Sequence, residues 1–326
     1  MRSTAWRATC APARRAALDE FGEIARLFRP LTRGAPGAFD LLDDAALITP
    51  RPGFDLVVTK DAIVAGVHFL ADETPGLAGR RLVRVNLSDL AAKGAEPFAA
   101  FLAVAWPRDF TDAQRAAFAE GLGADLRDAG VSLLGGDTVA TPGPFTASLT
   151  ALGWVPSGRM VRRGGAQPGD RLMVSGHVGD GWLGLAAARG EIPDPTGELE
   201  RRYRLPNPRL DLRHALLEHA TAAADVSDGL IADAGHIAKA SGVKLTLDLD
   251  RIPVSAAARR WLDGQADRAA ALIALASGGD DYEIVATAPV ALPGFTVIGQ
   301  VAAGQGIEVT CGGAPVDAGP GGWRHG

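Results

Sequence analysis

Aspartates recur along this chain beside glycines or at the ends of apolar runs: Asp43-Asp44, Asp61, Asp89, Gly135-Gly136-Asp137, Asp225-Val226-Ser227-Asp228-Gly229 and Gly278-Gly279-Asp280-Asp281. A fold that buries those runs must also neutralise the acids, because a buried unpaired carboxylate costs several kcal/mol. Only four lysines are available to help. A divalent cation is the natural alternative. Magnesium prefers carboxylate oxygens and substrate phosphates to an all-protein cage, so scattered aspartates without clustered His or Cys point to a metal-phosphate site.

The rest of the chain sets looser bounds. With 326 residues, 47% of them hydrophobic, it is long enough for one large domain or two ordinary ones. A net charge of -5 and a pI near 5.7 leave no basic footprint for nucleic acid. Cys10 and Cys311 are far apart and form no CxxC pair, so zinc and a disulfide framework are both unsupported and a reducing cytoplasm fits. No apolar run approaches the ~18 residues of a membrane span. Met1 to Leu18 is Arg-rich with no acid, which is compatible with a transit peptide or a disordered extension.

Strand-like apolar runs alternate with helical stretches, giving an α/β (α+β) reading. Asp55 to Thr59, Phe98 to Trp106, Val131 to Leu134 and Phe145 to Val155 read as strands, and Pro75 to Gly94 and Thr111 to Gly130 as helices. A Gly/Pro-rich connection from Pro156 to Gly169 separates a second half. There Arg171 to Ser175, Val243 to Leu249, Tyr282 to Ala286 and Phe295 to Val301 read as strands. Helices are expected near Trp182 to Arg189, Arg209 to Thr221 and Leu230 to Ser241, with Ile192 to Pro208 a long surface loop. The division is an extension over 1–18, an N-terminal domain over 19–160 and a C-terminal α/β domain over 161–326.

Familiar phosphate-binding and hydrolytic motifs do not account for the acids. Walker A, HExxH and GxSxG are absent. Gly179-Asp180-Gly181-Trp182-Leu183-Gly184 matches GxGxxG, but the following residues run into Pro193, Pro195 and Gly197 instead of a second parallel strand ending in a ribose-binding acid. A tight strand-to-helix turn is the simpler reading. Each acidic motif taken singly also has a structural reading: Asp43-Asp44 as a solvated turn, Gly136-Asp137-Thr138 as a turn ending a strand, Asp228 as a helix N-cap. Asp89 resists one, since on a helix it shares the face of Leu82, Val85 and Asn86.

The segments LLDDAAL, DAIVAGVHF, VNLSDLAAKGAEP, LLGGDT, RRGGAQPGDRLMVSG, ADVSDGLIADAGHIAKAS, SGGDDYE and VIGQV stand in the order and spacing of the thiamine-monophosphate kinases. The chain resembles that family from about Phe21 to Val301, with a weaker tail to Trp323. It is also similar, more distantly, to the ATP-dependent synthetases that include aminoimidazole ribonucleotide synthetase and selenophosphate synthetase. The resemblance implies a two-domain fold of the aminoimidazole ribonucleotide synthetase type, a homodimer whose N-terminal mixed sheets form a barrel, and ATP with several Mg2+ ions in the cleft between the domains. Carried over residue by residue, it implies Mg2+ ligands at Asp44, Asp61, Asp89, Asp137, Asp225 and Asp228, with Thr59 and Lys60 where the family has adjacent Ser and Thr ligands. It implies ATP contacts at Gly136, Asp137, Arg163 and Ser227, and thiamine monophosphate contacts at His68, Asp280 and Trp323. No catalytic general base is implied, and neither nucleic acid nor membrane is expected as a partner.

Two positions depart from the family pattern. Lys60 replaces the usual Thr before Asp61, which is silent if the main chain binds metal and disruptive if a hydroxyl does. Asp280 is one methylene shorter than the usual Glu. The alternative function is another ATP-dependent synthetase of the same superfamily; selenophosphate synthesis would call for a reactive Cys with a nearby Lys, and Cys10 has no such neighbour.

Overall fold

The computed structural model describes residues 20–319 and Gly322; Met1 to Leu18 and Trp323 lie outside them. In the first half, α1 (Glu20–Leu27), β1 (Phe54–Val64), α2 (Pro75–Ala92), β2 (Glu96–Pro107), α3 (Asp112–Asp128), β3 (Ser132–Thr141) and β4 (Thr146–Pro156) build a four-stranded sheet in the order β1-β4-β2-β3. β2 and β3 run parallel with α3 as their crossover, and β4 is antiparallel to both its neighbours. The helices start where the chemistry invites them. Pro75 opens α2 where its missing N–H costs nothing, and Thr111 with Gln114 forms a reciprocal capping box on α3. Leu82, Leu90, Phe118, Leu122 and Trp106 pack one sheet face against these two helices. Strand alternation leaves Leu56 and Val58 exposed on the other face of β1.

In the second half, β5 (Arg171–Ser175), α4 (Asp180–Ala188), α5 (Glu198–Arg204), α6 (Arg213–His219), β6 (Ala222–Asp225), α7 (Leu230–Ser241), β7 (Lys244–Asp248), α8 (Ala256–Asp263), α9 (Arg268–Ser277), β8 (Ile284–Ala288), β9 (Phe295–Ala302), β10 (Gly306–Cys311) and β11 (Ala314–Pro315) follow. Their strands form a mixed sheet in the order β11-β10-β7-β9-β5-β8-β6 with its own core, which includes Leu172, Val226, Leu230, Leu245 and Ile298. Among the described residues no helix is long and apolar enough to cross a membrane.

Three local expectations fail for physical reasons. The stretch from Ile192 to Pro208 is not all loop: α5 forms inside it because Asp194 Oδ2 accepts the Glu200 N–H at 3.0 Å, and Leu199 and Tyr203, one turn apart, are both buried. Asp137 does not sit at a strand end. β3 passes through the two glycines and continues to Thr141, with a register shift beside Phe101 and Asp137 paired to Ala103. The strand expected from Tyr282 begins only at Ile284, because Asp280 and Tyr282 hold positive φ of 63° and 51°.

Candidate active site

α2 is the element on which the site is strung. Asn86 is fully buried; its Oδ1 accepts the Asp61 N–H at 3.1 Å and its amide donates to the Leu82 carbonyl at 2.9 Å. One turn on, Asp89 accepts the Thr59 hydroxyl, which ties β1 to the helix. Ser88 Oγ donates to Asp225 Oδ2 at 3.1 Å, and Lys93 Nζ, just past the helix end, donates to the Ala223 carbonyl at 2.8 Å. The strand β6 thereby comes to lie against α2. Beyond β6, Asp233 Oδ2 accepts the N–H groups of Asp228 and Gly229 at 3.1 and 3.2 Å and fixes that turn. Gly279 packs against it so tightly that an added Cβ would lie 2.6 Å from the Ser227 carbonyl oxygen.

The result is a concentration of negative charge. Burial and then Asp89 raise the Asp61 carboxyl to about 6. Asp225 is pushed well up, first by burial and then by Asp89 and Asp233. Asp233 rises to about 7 through burial and Asp228. Burial also lowers Lys93, although Asp225 and Asp89 favour its charge. One Asp233 oxygen, Oδ1, is buried with no hydrogen-bond partner, and ligand atoms of Asp228, Asp233 and His236 lie within 4.8 Å of one another. The carboxylate oxygens of this cluster, which repel one another and outnumber the single imidazole of His236, suit a hard divalent cation such as Mg2+.

Beside these acids opens a cavity of about 850 Å3, lined among others by Asp61, His68, Ser227, Asp228 and Asp280. His68 Nδ1 accepts the Val64 N–H at 3.1 Å, so the proton of the neutral ring belongs on Nε2. Asp280 pairs with Arg81 of α2 at 2.8 Å, and the guanidinium also reaches the Tyr203 carbonyl and lies 4.8 and 5.8 Å from the Tyr203 and Tyr282 ring centres. Arg163 is exposed near the other end of the acid cluster, close enough to act on Lys93 and Asp233.

Not every expected residue joins this group. Asp44, Gly136 and Asp137 line a separate cavity of about 470 Å3 beside β3. Lys60 alternates with Thr59 and Asp61 on β1, and its side chain is exposed on the face opposite to theirs. The GxGxxG turn is closed to phosphate, since Asp281 Oδ2 takes the Gly179 N–H at 2.7 Å and Oδ1 the Gly181 N–H at 2.9 Å. Arg81, Asp233 and Asp281 are the members that sequence reasoning missed. For Asp233 a signal existed, an acid on the apolar face of Leu230 to Ser241; for Arg81 and Asp281 it was the tertiary partner that mattered.

Comparison with known proteins is consistent with this architecture. Residues 42–155 match the family model described as AIR synthase related protein, N-terminal domain, and residues 167–312 the corresponding C-terminal domain. Over 319 residues the chain is 54% identical to the thiamine-monophosphate kinase of Caulobacter vibrioides, covering 94% of this chain and 91% of that protein. The chain belongs to the thiamine-monophosphate kinase family. A crystal structure of the family member from Stenotrophomonas maltophilia K279a is 38% identical with a TM-score of 0.74, covering 82% of this chain and 89% of the other. The solved structure of AaThiL complexed with AMPPCP and TMP is 29% identical with a TM-score of 0.77, covering 90% and 98%. The family's two-domain fold is the one expected from the sequence.

Proposed function

We propose that this chain transfers the γ-phosphoryl group of ATP to the phosphate of thiamine monophosphate, giving thiamine diphosphate and ADP. The observation that carries the reading is the carboxylate cluster of Asp61, Asp89, Asp225 and Asp228 beside a cavity that also contains His68 and Asp280, in a chain 54% identical to a protein named for this activity.

Both reactants are anions, and two unit charges ~4 Å apart repel by about 4 kcal/mol at an effective dielectric of 20. Asp61, Asp89, Asp225 and Asp228, with Thr59 nearby, and Asp44 and Asp137 in the second cavity would hold Mg2+, which would supply the countercharge that lets the phosphates meet. The acceptor phosphate is already ionised near neutral pH, so no side chain need remove a proton, and the protein's task is orientation. His68 donates from Nε2 to the acceptor, and Asp280, held by Arg81, borders it. Gly136, Arg163 and Ser227 contact the nucleotide. Trp323, outside the described residues, belongs to the acceptor side by family position.

The same reading extends to assembly. Residues 19–160 form the nucleotide-binding and dimerising domain and 161–326 the second domain, with a homodimer formed through the sheet face that exposes Leu56, Val58 and Val139. The location is cytoplasmic, in line with two cysteines that are far apart in sequence and form no CxxC pair. Purified protein with ATP, Mg2+ and thiamine monophosphate is expected to release equimolar ADP and thiamine diphosphate; AMP in place of ADP, or no thiamine diphosphate, refutes the reaction.

A further inference from the structure

The turn Gly179-Asp180-Gly181 holds no phosphate, because Asp281 occupies its amides. What it delivers to the cavity is the residue that follows. Trp182 stands in the first turn of α4, half-buried, and lines the same cavity as Asp61, His68, Asp228 and Asp280. Its side chain is held at two points. Trp261 meets it nearly edge to face, with centroids 5.5 Å apart and planes at 81°. The base of the side chain packs over the Gly278 backbone, where an added Cβ would come within 2.4 Å of Trp182 Cβ and Cγ. The preceding Gly181 is seated as closely, since a Cβ there would lie 2.2 Å from the Asp280 carbonyl oxygen. The indole is therefore fixed with respect to the loop that carries Asp280.

A ring immobilised before binding loses little freedom when a ligand meets it. Leu185 and Arg189, one and two turns further along α4, continue the same cavity wall, and Tyr203 of α5 lies beside them. Apart from the exposed Arg189 this wall is aromatic and apolar, and the cavity is also lined by Asp61 and Asp228. With a divalent cation on those carboxylates, as in the reading above, such a lining suits a ligand with an anionic end and a flat, cationic or aromatic end.

We propose that Trp182 is a specificity residue for the acceptor: its indole receives the cationic heteroaromatic end of the acceptor while the acceptor phosphate points to the carboxylates. The inference rests on the phosphotransfer reading above and adds the residue that reads the organic part of the acceptor. Trp is the strongest ring partner for a cation, and the neutral adenine of the nucleotide gains no such attraction.

Steady-state kinetics with each substrate varied in turn test this on the full-length protein. Trp182→Leu is expected to raise KM for thiamine monophosphate about tenfold, with KM for ATP unchanged and kcat within about threefold. Trp182→Phe, which keeps a smaller ring, is expected to raise the same KM about threefold. If the leucine variant fails to fold, the phenylalanine variant decides. An unchanged KM for thiamine monophosphate in the folded variants, or a rise for ATP as large as for the acceptor, overturns the role of Trp182. A wild-type enzyme that makes no thiamine diphosphate refutes the phosphotransfer reading instead, so the two failures are separable.

Discussion

Removing the charge of Asp280 while keeping its shape tests whether the Arg81–Asp280 pair clamps the two halves of the protein. Asparagine is the suitable replacement, because Asp280 holds a φ of 63° that Asn tolerates and Ala does not. The Arg81 side chain is only 4% exposed. Burial opposes its charge, and Asp280 followed by Tyr282 and Tyr203 restores it. Deleting one partner of a buried pair costs about 3 to 5 kcal/mol. Asp280→Asn keeps a hydrogen-bond acceptor, and Arg81 keeps the Tyr203 carbonyl, so the expected loss is about 2 kcal/mol. Arg81→Met leaves a carboxylate that is 28% exposed and able to draw on water in the cavity, again at about 2 kcal/mol. The double variant has neither an orphaned cation nor an orphaned anion, and its loss is also expected near 2 kcal/mol, which gives a coupling of about 2 kcal/mol. Urea unfolding of the four proteins, followed by circular dichroism, measures it. A coupling below about 0.5 kcal/mol would falsify the clamp.

Asp89→Asn and Asp228→Asn are each expected to leave a folded protein whose turnover falls by about a hundredfold or more, as when a phosphoryl-transfer metal is lost; near-normal rates at limiting Mg2+ would make both acids structural. Lys60→Thr, by contrast, should leave turnover and the Mg2+ concentration for half-maximal rate within about twofold, because the side chain lies on the far face of β1; a large gain in metal affinity would contradict that placement. Asp281 titrates at about 8, raised by burial against the opposing Gly179 and Gly181 N–H groups, from an ordinary value of 3.8. The folded chain thus retains a proton that the unfolded chain has lost, and the associated stability is present at low pH and declines as pH rises from about 4 to 8. Melting curves of Asp281→Asn should accordingly show Tm improving relative to wild type between pH 5 and pH 8, and a constant difference across that range would refute the assignment.

What the sequence disclosed and what it withheld follow from the range of the forces involved. α2 was legible because Leu82, Val85, Asn86 and Asp89 repeat at helical spacing, and β5 because Arg171 to Ser175 is a compact apolar run between turn formers. β6 was not, since Ala222-Ala223-Ala224 has little strand propensity and is extended only because β8 pairs with it. α5 hid behind the prolines around it; the Asp194 side chain at its start and the packing of Leu199 and Tyr203 hold it in place. The acids themselves were conspicuous. Their grouping was not, because Ser88 and Asp225 meet across 137 positions of chain and no local rule states that contact. The same limit explains why the GxGxxG turn could be rejected as a nucleotide site from sequence while its true partner, Asp281, stayed unseen.

α2 carries its contacts like the teeth of a key. Arg81, Arg84, Ser88 and Lys93 each reach the second half of the chain, at Asp280, the Pro206 carbonyl, Asp225 and the Ala223 carbonyl, while Asn86 and Asp89 reach back to β1. A helix advances ~1.5 Å and turns ~100° per residue, so the distance from Arg81 to Lys93, about 18 Å, and the angle between them are set by residue count alone. One residue inserted or deleted between them would rotate every later tooth by more than a quarter of a circle. Side chains on α2 can therefore be exchanged one at a time, but its length cannot drift. Lineages of this protein should vary loops on either side of the helix and keep the number of residues between those two cations fixed.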